Sequence, residues 1–378
     1  MKTTRIAGQN SWTFSSDTVE ASITEMGGQL APVHFHFPSR SIQPFSIAPW
    51  AEESITGIPP MLEALRGDFF CAPFGGNEAP YQGESHPPHG ETANVKWHFE
   101  SLDENPSGVT LRLSIITKIR AGRIDKMLHL ENGHSAVYSR HVFSGMSGRM
   151  NFGHHAMLKF PDEPVSGLIS TSPIQLGQVA PLPFEEPANR GYSSLKPGAT
   201  FSQLSEVPLA QGGTTDLSSY PARRGYEDLV QVVHEANPEF AWSAVTFPKE
   251  GYAWVALKDP RVLRSTILWH SNGGRHYPPW NGRHTSVLGM EDVTSYFHYG
   301  IQGSCDPNPI SEAGFPTWFT LDSERPTVVN YIMAVAEIPK DFGRVQTIAP
   351  TNGGAKLVGE SGSEVFVPLD LKFLYEEE

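Results

Sequence analysis

The sequence predicts an all-β protein, a large antiparallel β-sandwich, and three observations carry that expectation. Apolar and polar residues alternate over several short stretches, turn signals recur between them, and the Gly 35 and Pro 32 residues are spread along the chain. Alternation with period two puts one set of side chains on a single face of a strand. Frequent Gly and Pro suit many turns between short strands better than long helices. One domain spanning residues 1–378 is expected, because all-β sandwiches commonly run to about 200–250 residues as one unit.

The elements follow in order. The only fair helical signal of any length, near residues 53–66, is broken by Pro59 and Pro60, since proline removes a donor and clashes with the preceding turn. Val109, Leu111, Leu113 and Ile115 alternate with Thr110, Arg112 and Ser114, the pattern of a half-buried strand. Residues 127–143 read as strand, turn at 131–134, strand. Residues 177–225, rich in Pro, Ser and Gly, read as a long ordered excursion beside the site. Residues 242–257 form a second hairpin with its turn near 249–251, and residues 328–336 and 365–373 are further strands.

Composition narrows the function classes. A hydrophobic fraction of 39% with 18% charged residues fits a folded globular chain. The net charge of -13, without a basic cluster, argues against nucleic acid and anionic membrane surfaces as partners. No apolar run reaches the roughly 18 residues of a membrane span, and the first residues, MKTTRIAGQNSWTF, lack the core of a signal peptide. A cytoplasmic location is therefore expected, with Cys71 and Cys305 as reduced thiols.

Fifteen histidines are many beside 28 Lys+Arg, and a metal site is the first thought they raise. The segment GQLAPVHFH begins like a cupin metal motif, but FPSRS follows where a glutamate ligand is required. His34 and His36 are expected instead as two polar side chains on one strand face. No metal and no cofactor are expected.

Three segments carry a resemblance. The first holds Arg66-Gly67, Pro73-Phe74-Gly75, His89-Gly90 and Trp97; the second is MNFGHHAMLKF, with His154 and His155; the third contains Leu-Gly-Met-Glu ending at Glu291. In type, order and strand context these resemble the galactose mutarotase superfamily, which includes aldose 1-epimerases and hexose-6-phosphate epimerases. The resemblance implies a β-sandwich that binds a small-molecule sugar in an open cleft. It places Glu291 as the base, His155 as the acid and His89 as a partner in proton transfer near the ring oxygen. Arg66 would hold Glu291 or a sugar hydroxyl, and His154 would lie beside the sugar. Two departures stand out. Asn94 lies near the position of an arginine that holds phosphate in the phosphosugar epimerases, which points to an unphosphorylated substrate unless Arg275, Arg283 or Arg224 substitutes. The family's sugar-binding aspartate is matched by Asp228 or Asp216, of which Asp228 is preferred.

Anomer interconversion needs a proton acceptor at the anomeric hydroxyl and a donor at the ring oxygen. A glutamate whose pKa is raised among aromatics such as Trp269, Trp280 and Tyr296 suits the first role, and an imidazole the second. Trp269 or Trp280 would also stack under the apolar face of the sugar ring. The expected function is therefore that of an aldose 1-epimerase-like enzyme. A non-catalytic carbohydrate-binding protein on the same fold, a lyase or glycoside hydrolase accessory domain, and a metal-dependent cupin-like enzyme stand as alternatives.

Overall fold

The computed structural model describes residues 1–235 and 239–377. It is 49% strand and 8% helix, so the expected class holds. The alternation at 109–115 becomes the strand Gly108–Thr117, with Val109, Leu111, Leu113 and Ile115 buried. Residues 127–143 become the hairpin Gly122–Glu131 and Ala136–Ser144, and the second hairpin becomes Ala241–Phe247 and Tyr252–Lys258.

These strands belong to a nine-stranded antiparallel sheet whose centre is Ala241–Phe247, Tyr252–Lys258, Thr327–Glu337 and Ala136–Ser144. An eight-stranded sheet faces it, with Ile174–Val179, Tyr226–His234, Ser265–Asn272 and Val287–Thr294 in sequence across its middle. The short strands Phe152–His154 and Ala156–Lys159 both pair with Val287–Thr294, and Phe70–Cys71 pairs with Phe152–His154. Between the two sheets lies the largest apolar core, which takes Leu288, Met290, Val230 and Val232 from one and Trp254, Ala256, Met333 and Val335 from the other. The outer face of the nine-stranded sheet is covered by the three-stranded sheet Val345–Thr351, Gly354–Gly359 and Glu364–Pro368. The outer face of the eight-stranded sheet carries a third cluster, rich in tryptophan and phenylalanine.

Two expectations are corrected. Within residues 53–66 only Pro60–Ala64 is helical, and Pro60 opens that turn instead of breaking it; the first helical position has no use for the missing N–H. The strand expected to reach residue 373 ends at Pro368, and Leu371–Tyr375 is a 3-10 turn capped by Asp370. No helix among the described residues is long and apolar enough to cross a membrane.

The inter-sheet core is not wholly apolar. Asp292 projects into it and forms an ion pair with Lys258, both side chains being fully buried. Thr266 Oγ1 donates to Asp292 Oδ1 at 2.6 Å, Tyr331 Oη to Oδ2 at 2.8 Å, and Ser243 Oγ to Oδ1 at 3.2 Å. Burial pushes the Asp292 carboxyl up, but Lys258 and the hydroxyls of Thr266 and Tyr331 outweigh it and hold it below the ordinary range. Removing one member strands a buried charge. Lys258→Met is expected to cost about 3–5 kcal/mol in denaturant unfolding, and Lys258→Met with Asp292→Asn to recover much of that loss. Additive losses in the double variant would refute the pairing.

Candidate active site

Strand parity decides what reaches the outer face of the eight-stranded sheet. On Val287–Thr294, Val287, Gly289, Glu291 and Val293 share that face, while Leu288, Met290 and Asp292 point into the sandwich. Gly289 makes room for the glutamate: a Cβ there would lie 2.6 Å from Glu291 Oε1. On the neighbouring segment His155 points the same way, its backbone N–H bonded to Phe69 O at 2.9 Å. His155 Nε2 lies 3.3 Å from Glu291 Oε1. Phe69 stacks on the His155 ring at 4.6 Å. His89, in left-handed conformation with φ 60° ahead of the turn Gly90–Asn94, brings its ring edge-on to His155 at 5.0 Å. Phe69 and Phe74 wall it at 5.8 and 5.1 Å. Glu291, His155 and His89 are thus brought together from three distant segments.

The expected open cleft is not what surrounds them. Glu291 is 4% and His155 5% exposed. Arg275 covers the cluster, its guanidinium 4.6 Å from the Trp280 ring, 5.2 Å from Trp269 and 5.1 Å from Phe184. Glu185 pairs with Arg275, and Tyr277 donates to the same carboxylate at 3.1 Å. Of the excursion expected over residues 177–225, Phe184 and Glu185 lie beside the site. Trp269 and Trp280 form a wall, but both are buried against Arg275 and His284 and present no free stacking face.

Sequence reasoning missed Glu227. It faces the cluster from Tyr226–His234, and its carboxylate accepts from Trp269 Nε1 at 2.9 Å, Ser271 Oγ at 3.1 Å and Gly274 N at 3.0 Å. His284 and His298 were also missed. Ser271 Oγ is 2.6 Å from His284 Nδ1, and the His298 ring packs against Phe184 at 5.1 Å. His89 Nδ1, His155 Nδ1, His284 Nε2 and His298 Nδ1 are buried without a protein partner. Four such atoms gathered around one carboxyl leave hydrogen-bonding capacity that a ligand or water can take up.

Three expected contacts are corrected. Arg66 is fully buried, and its guanidinium donates to the backbone oxygens of Ala64 (2.8 Å), Ile6 (3.0 Å) and Ala7 (2.7 Å), so it ties the N-terminal strands down and does not hold Glu291. His154 points into the sandwich, where Nδ1 meets Asp68 Oδ2 at 2.8 Å and the ring stacks on Tyr331 at 4.1 Å. Asp228 faces away from Glu227; it accepts from Ser194 N and Oγ, Leu195 N and Arg223 Nε, and so anchors the long excursion. Asp216 is engaged by Ser218 and Ser219 at the surface. Arg224 pairs with Asp162, Arg283 pairs with Glu53 and lies over the Trp50 ring, and the Asn94 amide bonds to Pro88 O and Gly90 O. His34 and His36 are parallel rings 6.4 Å apart on one strand face, and both cysteines are free and buried. Among the described residues, no three or more His, Cys, Asp or Glu side chains are placed to hold a metal ion.

Electrostatics follow from the dryness. Burial pushes the Glu291 carboxyl up to about 8, against the pull of Arg275. Burial drives His155 down to about 3, helped by Arg275 and His284. Burial also raises Glu227 to about 7, although Arg275 and three hydrogen bonds oppose it. At neutral pH the proton of the contacting pair therefore rests on Glu291, opposite an uncharged imidazole.

No family model and no curated relative matches the sequence. Solved structures do match in fold. A galactose mutarotase-like protein from Clostridium acetobutylicum superposes with TM-score 0.56 at 12% identity, covering 89% of this chain and 98% of that one. A galactose mutarotase related enzyme from Lactobacillus acidophilus gives 0.53 at 12%, covering 87% and 98%. A candidate aldose 1-epimerase from Escherichia coli K12 gives 0.55 at 14%, covering 87% and 99%. The chain has the galactose mutarotase-like fold.

Two outcomes are expected. Glu291 keeps in the folded state, up to about pH 8, a proton that the unfolded chain releases near 4.5. Its contribution to stability is complete below pH 4.5 and is lost as pH rises through 8. His155 runs oppositely, its contribution being complete above pH 6.5 and lost as pH falls toward 3. Between pH 6.5 and 8 the carboxyl is the member of the pair that still varies. There the wild type should lose on the order of 1 kcal/mol per pH unit relative to Glu291→Gln; parallel stability curves would contradict the buried, protonated carboxyl. Arg66→Ala should cost about 3 kcal/mol by stranding carbonyls without moving the Glu291 titration, whereas a moved titration would return Arg66 to the site.

Proposed function

We propose that this protein is an aldose 1-epimerase-like isomerase that interconverts the anomers of an unphosphorylated sugar by ring opening. The observation that carries the reading is the buried contact between Glu291 and His155 at 3.3 Å, with opposite pKa shifts and one proton between them. Transfer of that proton from Glu291 to His155 yields the carboxylate and imidazolium that anomerisation requires. A sugar hydroxyl donating to Glu291 favours the ionised carboxylate and lowers the cost of this transfer.

The carboxylate then removes the proton from the anomeric hydroxyl, and the imidazolium protonates the ring oxygen. The C1–O5 bond breaks to give the open aldehyde. Rotation about C1–C2 presents the other carbonyl face, and ring closure returns both protons to their starting groups. His89, with Nδ1 unpartnered, supports the ring oxygen. The low-dielectric walls strengthen each of these interactions. Sugar entry requires the Arg275–Glu185 cover to shift.

The cation of the cluster, Arg275, is already paired with Glu185 and adjacent to Glu227. With its charge already matched by Glu185, Arg275 has little left to offer a phosphate, which disfavours a phosphorylated sugar. The test is polarimetry of freshly dissolved single anomers of glucose, galactose, xylose, arabinose, fucose and rhamnose. Acceleration by the wild type should fall at least 100-fold in Glu291→Gln, while calorimetric sugar affinity changes little. Binding without acceleration would instead support a non-catalytic carbohydrate-binding protein.

A further inference from the structure

We infer that His284 is a further sugar-contacting residue, held by Ser271 and Glu227 as a hydrogen-bond acceptor for a ligand hydroxyl. This rests on the reading that the cluster around Glu291 receives a sugar. The three donors around Glu227 (Trp269 Nε1, Ser271 Oγ and Gly274 N) all point at its two oxygens. Where Glu227 is ionised, above about pH 7, the Ser271 hydroxyl proton is committed to it. A hydroxyl has one proton, so Ser271 Oγ meets His284 Nδ1 as the acceptor, at 2.6 Å. Nδ1 then carries the ring hydrogen and Nε2 is left as a bare lone pair.

That Nε2 is buried and has no partner. The ring is not free to turn away from its position. It stacks on Trp269 at 5.4 Å, meets Trp280 edge-on at 5.1 Å, and is tilted against Trp50 at 5.9 Å. His284 is close enough to His155 to lower its basicity, so the two histidines belong to one site with Trp269 between them. An unmade hydrogen bond at a dry acceptor costs free energy that a donor recovers on binding. A neutral hydroxyl supplies that donor, whereas a phosphate dianion or a carboxylate offers only acceptors. Glu227 and Ser271 are positioning residues in this arrangement, since they fix the His284 tautomer and do not themselves meet the ligand.

The test uses histidine labelled with ¹⁵N in the full-length protein, with each of the six sugars above added in turn. His284 Nε2 should resonate as an unprotonated nitrogen and shift on sugar addition. Ser271→Ala keeps the ring but releases the tautomer. It should mix the two tautomers and raise the calorimetric Kd about tenfold, the worth of one good hydrogen bond. A protonated Nε2, or a Kd unchanged in Ser271→Ala, would overturn the inference. If His155 responds to sugar and His284 does not, this inference alone fails. If neither ring responds to any sugar, the sugar-site reading fails with it.

Discussion

Much of this molecule depends on the buried ion pair between Lys258 and Asp292. It joins the two large sheets through an interior that is otherwise mostly apolar, and it fixes which way the strand Val287–Thr294 faces. With Asp292 committed to the interior, its neighbour Glu291 must project outward. The same parity operates on the adjacent segment. His154 turns inward to Asp68 and Tyr331, and His155 turns outward to Glu291. Polar residues that lock the sandwich and those that make the site thus stand back to back on paired strands. A slip of one residue in register would exchange them.

The outward face is unusual in being polar and dry at once. Phe69, Phe74, Trp269 and Trp280 exclude water, while Glu291, Glu227 and four imidazoles bring ionisable groups into that shell. Burial then decides protonation, raising carboxyls and lowering imidazoles until the pair is neutral. Arg275 opposes the rise of both glutamates and reinforces the fall of His155. The result is a protonated carboxyl 3.3 Å from an uncharged imidazole, in a shell that excludes water.

How far the sequence could be read follows from these constraints. Strands with one exposed face were legible, because alternation at Val109–Ile115 reports directly on burial. The segments bearing His89, His155 and Glu291 could be recognised and their convergence anticipated. Parity was not legible where both faces are buried. In Tyr226–His234 every residue after Tyr226 is buried, so nothing local separates Glu227 from Asp228. The register that does so pairs Glu227 with Ser271, more than forty positions away. The adjacent histidines at 154 and 155 posed the same ambiguity. Arg66 was misplaced for a different reason: its partners are backbone oxygens, which leave no mark in a sequence. The signal for His284 and Arg275 was the dense GGRHYPPWNGRH loop, whose fold over the site depends on Glu185 far upstream.

The proposed function depends on desolvation leaving the proton of the Glu291–His155 pair on the carboxyl until a sugar arrives. The most direct measurement is the ¹³C carboxyl resonance of Glu291, assigned by its loss in Glu291→Gln and followed with pH with and without sugar. The account predicts a protonated carboxyl at pH 7 that titrates near 8 and shifts to the ionised form when sugar binds. A carboxylate already ionised at pH 6 in the free protein, unmoved by sugar, would contradict it.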